Sequence, residues 1–170
     1  MKMFRTTALL TLMMTLPFAA SVQAQEKEKA DTAFLTKVIP GIAASIKIIE
    51  YSEKNSSDEK VKDFAERVAK QHKGALKTAK EHAKRLKVEA SADPDKDSKE
   101  MIDKLSKLTG TDLDVAFLKW LSHIHHDTTL FDNEVKNGAD ADLKAFAKSS
   151  IDSGNEHLKE ANELLAKIKK

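Results

Sequence analysis

The chain has 170 residues, with 29 basic and 27 acidic side chains, six histidines and no cysteine, so disulfides, thiolate chemistry and cysteine lipidation are excluded. Lys2 and Arg5 account for the excess of base over acid, and without them no basic stripe with interleaved aromatics remains to recognise nucleic acid. Stability has to come from an apolar core.

The chain opens on "MKMFRTTALLTLMMTLPFAASVQAQEKEK", two basic residues, an apolar run to Ala20 and then Val22-Gln23-Ala24 before a charged tail. This pattern predicts a secretory signal peptide over residues 1–24, cleaved near Ala24, and a periplasmic or secreted product. Its apolar core is shorter than the roughly 20 residues a spanning helix needs, and no transmembrane segment is expected in the mature chain. Residues 25–170 suit one domain, and a domain of about 150 residues buries roughly 68–70% of its unfolded surface.

Helical periodicity runs nearly throughout, with only five Gly and three Pro and no strand-like alternation. A first helix is predicted over about Asp31 to Lys54, with Leu35, Val38, Ile39, Ile42, Ile46 and Ile49 on one face and a kink or boundary at Pro40-Gly41. The second opens at a capping box, Ser56-Ser57-Asp58-Glu59, carries Val61, Phe64, Val68, His72, Ala75, Ala79, His82 and Leu86 as its stripe, and ends near Val88. The polar break "ASADPDKDSKE" leads to a short amphipathic helix with Met101, Ile102, Leu105 and Leu108 that closes at Gly110. A third main helix is predicted as one piece from about Thr111 to Lys136, with Leu113, Phe117, Trp120, Ile124, Thr128, Phe131 and Val135 on one face. Gly138 ends it, and Asp140 caps a fourth with Leu143, Ala147, Ile151, Leu158, Ala161 and Leu165.

Acid-before-base pairs at i,i+4, such as Asp63/Arg67, Glu66/Lys70 and Glu81/Arg85, read as a solvated surface at about 0.2–0.5 kcal/mol each. The fold class is therefore all-α: a four-helix bundle, with a short extra helix in the long connection between the second and third main helices. That long link permits the ferritin-like crossover. The apolar stripes can be satisfied within one chain, so no oligomer is required.

The segments "DTAFL", "VKDFAERVAKQH", "LDVAFLKWLSHIHH" and "FDNEVKNGADADLKAFAKSSIDSGNEHLKEANEL" resemble the exported bacterial family known as domain of unknown function 4142, across essentially the whole mature chain. The resemblance implies a ferritin-like helical bundle in the periplasm or outer-membrane fraction, with no established activity. It places the family's recurrent histidines on His72, on His125 or His126, and on His157. The chain departs from that pattern at Ser45, where an acidic residue is expected, and at Asp152, where a proline is expected.

The stretch "WLSHIHHDTTLF" holds three of the six histidines. With Ile124 at the centre of the apolar face, His123 and His125 fall about 100° to either side and His126 about 160° away, so a helix cannot gather all three on one ion. His72 and His82 both lie within about 40° of Val68 and face the core, but about 15 Å apart. His157 sits beside the Ile151/Leu158 stripe. Counted from Gly138, His125 and His157 lie at heights of roughly 18 and 24 Å, and the backward tilt of Cβ brings them together. His72, near the middle of its helix, reaches a similar level, which predicts a histidine layer at mid-bundle.

Imidazoles in an apolar layer need either hydrogen-bond partners, for which Asn155, Ser150, Thr128 and Ser45 are available, or a metal such as Zn, Cu, Ni or Fe. Shared ligation requires inter-ring nitrogens closer than about 6 Å, since Zn–N bonds are about 2.0–2.1 Å. Residues three before His72, His82, His125 and His157 are Ala69, Ala79, Ser122 and Gly154, so the Glu-x-x-His pairs of di-iron bundles are absent. Every acid reads as lying on a polar face beside Lys or Arg, leaving no catalytic constellation. The expectation is an exported non-enzymatic bundle acting through its surface, in envelope stress or as an interaction module. The alternative is a periplasmic transition-metal-binding bundle using His72, His125 and His157.

Overall fold

The computed structural model describes residues 18–168. Of the expected leader, residues 1–17 lie outside the described residues. Six helices follow in chain order: α1 (Phe18–Asn55), α2 (Glu59–Arg85), α3 (Lys96–Leu105), α4 (Gly110–His126), α5 (Thr129–Asn137) and α6 (Ala141–Ile168). No strand occurs among the described residues, and the helices assemble into a bundle.

Hydrogen bonds at the two ends fix the direction of each long segment. At one end the Tyr51 hydroxyl donates to the carbonyls of Ser106 (2.8 Å) and Leu108, and Ser57 donates through N–H and Oγ to Asp114 at the start of α4. At the other, Asp31 of α1 accepts the N–H groups of Ala139 (2.8 Å) and Asp140, and Arg85 grips both Asp140 oxygens at 2.7 Å. Thus α1 and α6 run one way, α2 and the α4–α5 pair the other. The connection from Leu86 to Thr109, with α3 inside it, traverses the length of the bundle.

Several boundaries differ from the sequence reading. Asp58 alone caps α2, its carboxylate accepting from Lys60 and Val61 N–H, while Ser57 is diverted to Asp114 in place of the expected box. α3 starts within the supposed polar break because the Asp95 carboxylate accepts from Ser98 N–H at 2.8 Å. Gly110 opens α4, with φ +60, instead of closing α3. The main correction concerns the predicted helix from Thr111 to Lys136, which is broken at Asp127-Thr128. There Asp127 accepts from Thr129 N–H, and the Thr128 hydroxyl donates to Asp132 at 2.6 Å. Side chains that hydrogen-bond their own backbone compete with the helix ladder in this way. α1, by contrast, continues through Pro40.

The apolar side chains form two clusters. One holds Ile48, Ile49, Val61, Phe64, Phe117, Leu121 and Ala161; the other holds Phe34, Leu35, Val38, Ile39, Ala79, Leu143 and Ala147. Ile42 and Ile46, expected at the centre of the α1 stripe, are only partly buried. The stretch Glu28–Asn55 is long and apolar enough by composition to cross a membrane; here its apolar side supplies both clusters.

Charged groups also depart from expectation. Arg67 bridges to Glu160 of α6 and Arg85 to Asp140, so these two bases reach between segments in preference to Asp63 and Glu81, and Lys73 bridges to Glu50 of α1. Asp31, Asp114 and Glu134 are buried, against the expectation that every acid lies on a polar face. The first two are satisfied by the backbone N–H groups named above, whereas both Glu134 oxygens lack a hydrogen-bond partner. Burial, then the adjacent Asp31 carboxylate, pushes the Glu134 carboxyl up to about 8.

Two stability outcomes follow. α2 ends in a Schellman arrangement, with Val88 N–H donating to the Ala83 carbonyl and Lys87 N–H to that of Lys84, and Lys87 takes the left-handed φ of 56 that this motif reserves for glycine. Lys87→Gly should therefore stabilise the fold by about 0.5–1 kcal/mol in chemical denaturation. Glu134 holds its proton in the folded state to a higher pH than in the unfolded chain, so its contribution is lost as pH rises from about 4.5 through about 8. Glu134→Gln does not titrate, and its stability relative to the parent should rise across that window by at least about 1 kcal/mol, read from denaturation midpoints at its two ends.

Candidate metal centre

Three histidines line the level between the two apolar clusters. His72 projects from the middle of α2, His125 from the last turn of α4 and His157 from the middle of α6. One nitrogen from each can be chosen so that all three lie within 4.8 Å of one another. Ring centroids stand 4.9 Å apart for His125 and His157, 5.6 Å for His72 and His125, and 5.9 Å for His72 and His157.

The three remaining histidines lie elsewhere. His123 and His126 are exposed, which settles the choice between His125 and His126 as the inward residue. His82 packs against Phe146 at a tilt, ring centroids 5.8 Å apart, with its Nδ1 3.0 Å from the Arg85 guanidinium.

Hydrogen bonding assigns the tautomers. His157 Nε2–H donates to Gln71 Oε1, which leaves Nδ1 as a lone pair, and His125 Nε2–H points at that lone pair from 3.2 Å. His72 Nδ1 is buried without a partner. The hydroxyl residues expected to satisfy these rings do not do so. Ser45 donates to the Gly41 carbonyl, Ser150 to that of Phe146 and Thr128 to Asp132, while Asn155 is exposed.

Burial is the largest influence on each ring. It lowers His72 to about 3, helped by the neighbouring His125 and His157, and His125 to about 4, helped by His157. His157 is lowered by burial and by Arg67, against the opposing pull of Glu156 and Glu160. All three are therefore neutral near pH 7, the state in which imidazole can ligate.

The donor set suits a transition ion. Two nitrogens bound at about 2.0–2.1 Å to a tetrahedral ion stand roughly 3.3 Å apart, close to the 3.2 Å between His157 Nδ1 and His125 Nε2, and both offer lone pairs once the His125 proton moves to its Nδ1. Gln71 holds the far nitrogen of His157, as outer partners of metal-binding histidines do. Gly154 makes room for His125: a Cβ there would lie 2.9 Å from His125 Nδ1. Neither Gln71 nor Gly154 was singled out from the sequence as part of a site. A glycine inside α6 costs about 1 kcal/mol relative to alanine and could have signalled a close approach, whereas Gln71 gives no sequence signal.

Because these histidines charge more readily in the unfolded chain than in the fold, their contribution is complete above about pH 6.5 and is lost as pH falls toward about 4. Each contributes a slope of up to about 1.4 kcal/mol per pH unit. His72→Leu should flatten the acid limb of a stability-against-pH profile by one histidine's share, measured by urea denaturation.

Comparison with known proteins adds a family without adding an activity. No curated protein and no solved structure matches the chain. A family model, described as "Domain of unknown function (DUF4142)", matches residues 17–164, and the chain belongs to that family.

Proposed function

We propose that this protein is a transition-metal-binding helical bundle whose ligands are His72, His125 and His157. The observation that carries the reading is the juxtaposition of three neutral imidazoles within 4.8 Å, one of them with an unpartnered buried nitrogen. A buried polar atom left unsatisfied costs about 1–3 kcal/mol, and an ion removes that penalty. Imidazole ligands suit Zn, Cu, Ni or Fe, and the ion would supply Lewis acidity or redox chemistry according to its identity. Second-helix and third-segment chains running parallel, joined by the long Leu86–Thr109 link, support a ferritin-like four-helix order in which α4 and α5 together make the third helix. Gly154 takes the place that a di-iron bundle would give to a glutamate, so the reading is of a single histidine-held ion. The apolar, base-flanked N-terminus supports export.

The balanced charge of the chain beyond the leader keeps a second reading in view, a non-enzymatic bundle acting through its surface. Metal analysis and melting of protein purified without an affinity tag separate the two. One equivalent of a transition ion is expected, with stabilisation of about 2.7 kcal/mol at 100 times Kd. His157→Ala and Gly154→Val should abolish both effects. Substoichiometric metal with unchanged melting after Zn or Cu addition would discard the metal reading.

A further inference from the structure

Beside the three histidines lies a cavity of about 920 Å³, within the size range of small-molecule sites. It reaches α1 on one side and α6 on the other, where Ile42, Ala75, Ile124, Phe131, Phe146 and Ile151 form its apolar wall. Three of the lining serines are already engaged: Ser45 donates to Gly41, and Ser149 and Ser150 to the Phe146 carbonyl. The buried side-chain polar atom on the described lining that lacks a partner is His72 Nδ1, which places polar recognition at the histidine end. Among the described lining residues the charged ones, Lys37, Asp127 and Asp142, are all exposed and hydrated.

We infer that this cavity binds an apolar monocarboxylate, its hydrocarbon chain along the Ile42 and Ile151 walls and its carboxylate at the histidine end. The inference rests on the metal reading of that site. Three neutral imidazoles would leave a divalent ion's charge uncompensated, and a four-coordinate ion would still need one more ligand. One anionic oxygen would fill that position and offset half of the charge. A polyanion or a sugar would forfeit contact with the apolar walls, whereas an alkyl chain fills them.

Cobalt(II) is a suitable probe, since its visible absorption reports ligand exchange at tetrahedral nitrogen sites. The cobalt-loaded protein is titrated with acetate, hexanoate and decanoate. Each buried methylene should tighten binding roughly fourfold, until the chain outgrows the cavity. Ile42→Trp, on a helix that supplies no histidine, should keep the cobalt band and erase the chain-length dependence. Ile151→Trp provides the same obstruction from the opposite wall should the first variant fail to fold. Equal potency of acetate and decanoate, or undiminished dependence in a folded tryptophan variant, would overturn the carboxylate site while leaving the metal reading intact. Absence of any histidine-dependent cobalt band would remove both.

Discussion

The organisation of this molecule turns on a single contact, the approach of His125 to His157 at mid-bundle. Two neutral rings meet there because α4 and α6 carry them to one level between the apolar clusters, where burial disfavours their charged forms. Each ring is then obliged to find its partners within the protein. His157 uses one nitrogen on Gln71 and the other on His125, and His72 arrives with a nitrogen that nothing answers. The surrounding packing serves this arrangement. Gly154 lacks the Cβ that would strike the His125 ring, and α4 ends one residue beyond that histidine.

Burial acts in opposite directions on the two kinds of titratable group in the interior. It holds the imidazoles neutral and ready to donate lone pairs, and it holds a proton on Glu134 far above the usual carboxylate range. The two effects occupy separate parts of the bundle, the first at the histidine layer and the second beneath the α5–α6 junction. Glu134 lies against Gly138, where an added Cβ would meet its Oε1 at 2.1 Å, so the short turn into α6 is folded around the carboxyl group itself.

Much of the architecture was legible because period carries it. The 3.6-residue repeat placed His72 and His157 inward and separated His126 from His125, and counting from Gly138 brought the last two of the triad to one level. What failed was information that period does not hold. The break at Asp127-Thr128 depends on two side chains choosing local backbone and carboxylate partners over the helix ladder. The burial of Asp31, Asp114 and Glu134 depends on which chain ends meet, a long-range property that no local window records. Gln71 was invisible for the same reason: its partner is 86 positions away.

The division of the interior into two apolar clusters has a kinetic meaning. Each cluster closes one end of the bundle with its own large side chains, while the level between them is held by a few polar contacts and an open space. Local opening free energy follows the density of buried apolar contact. The level between the clusters is therefore where local opening is expected at the least cost in buried apolar contact. Opening at that level would expose the imidazoles while the packing at both ends stayed intact.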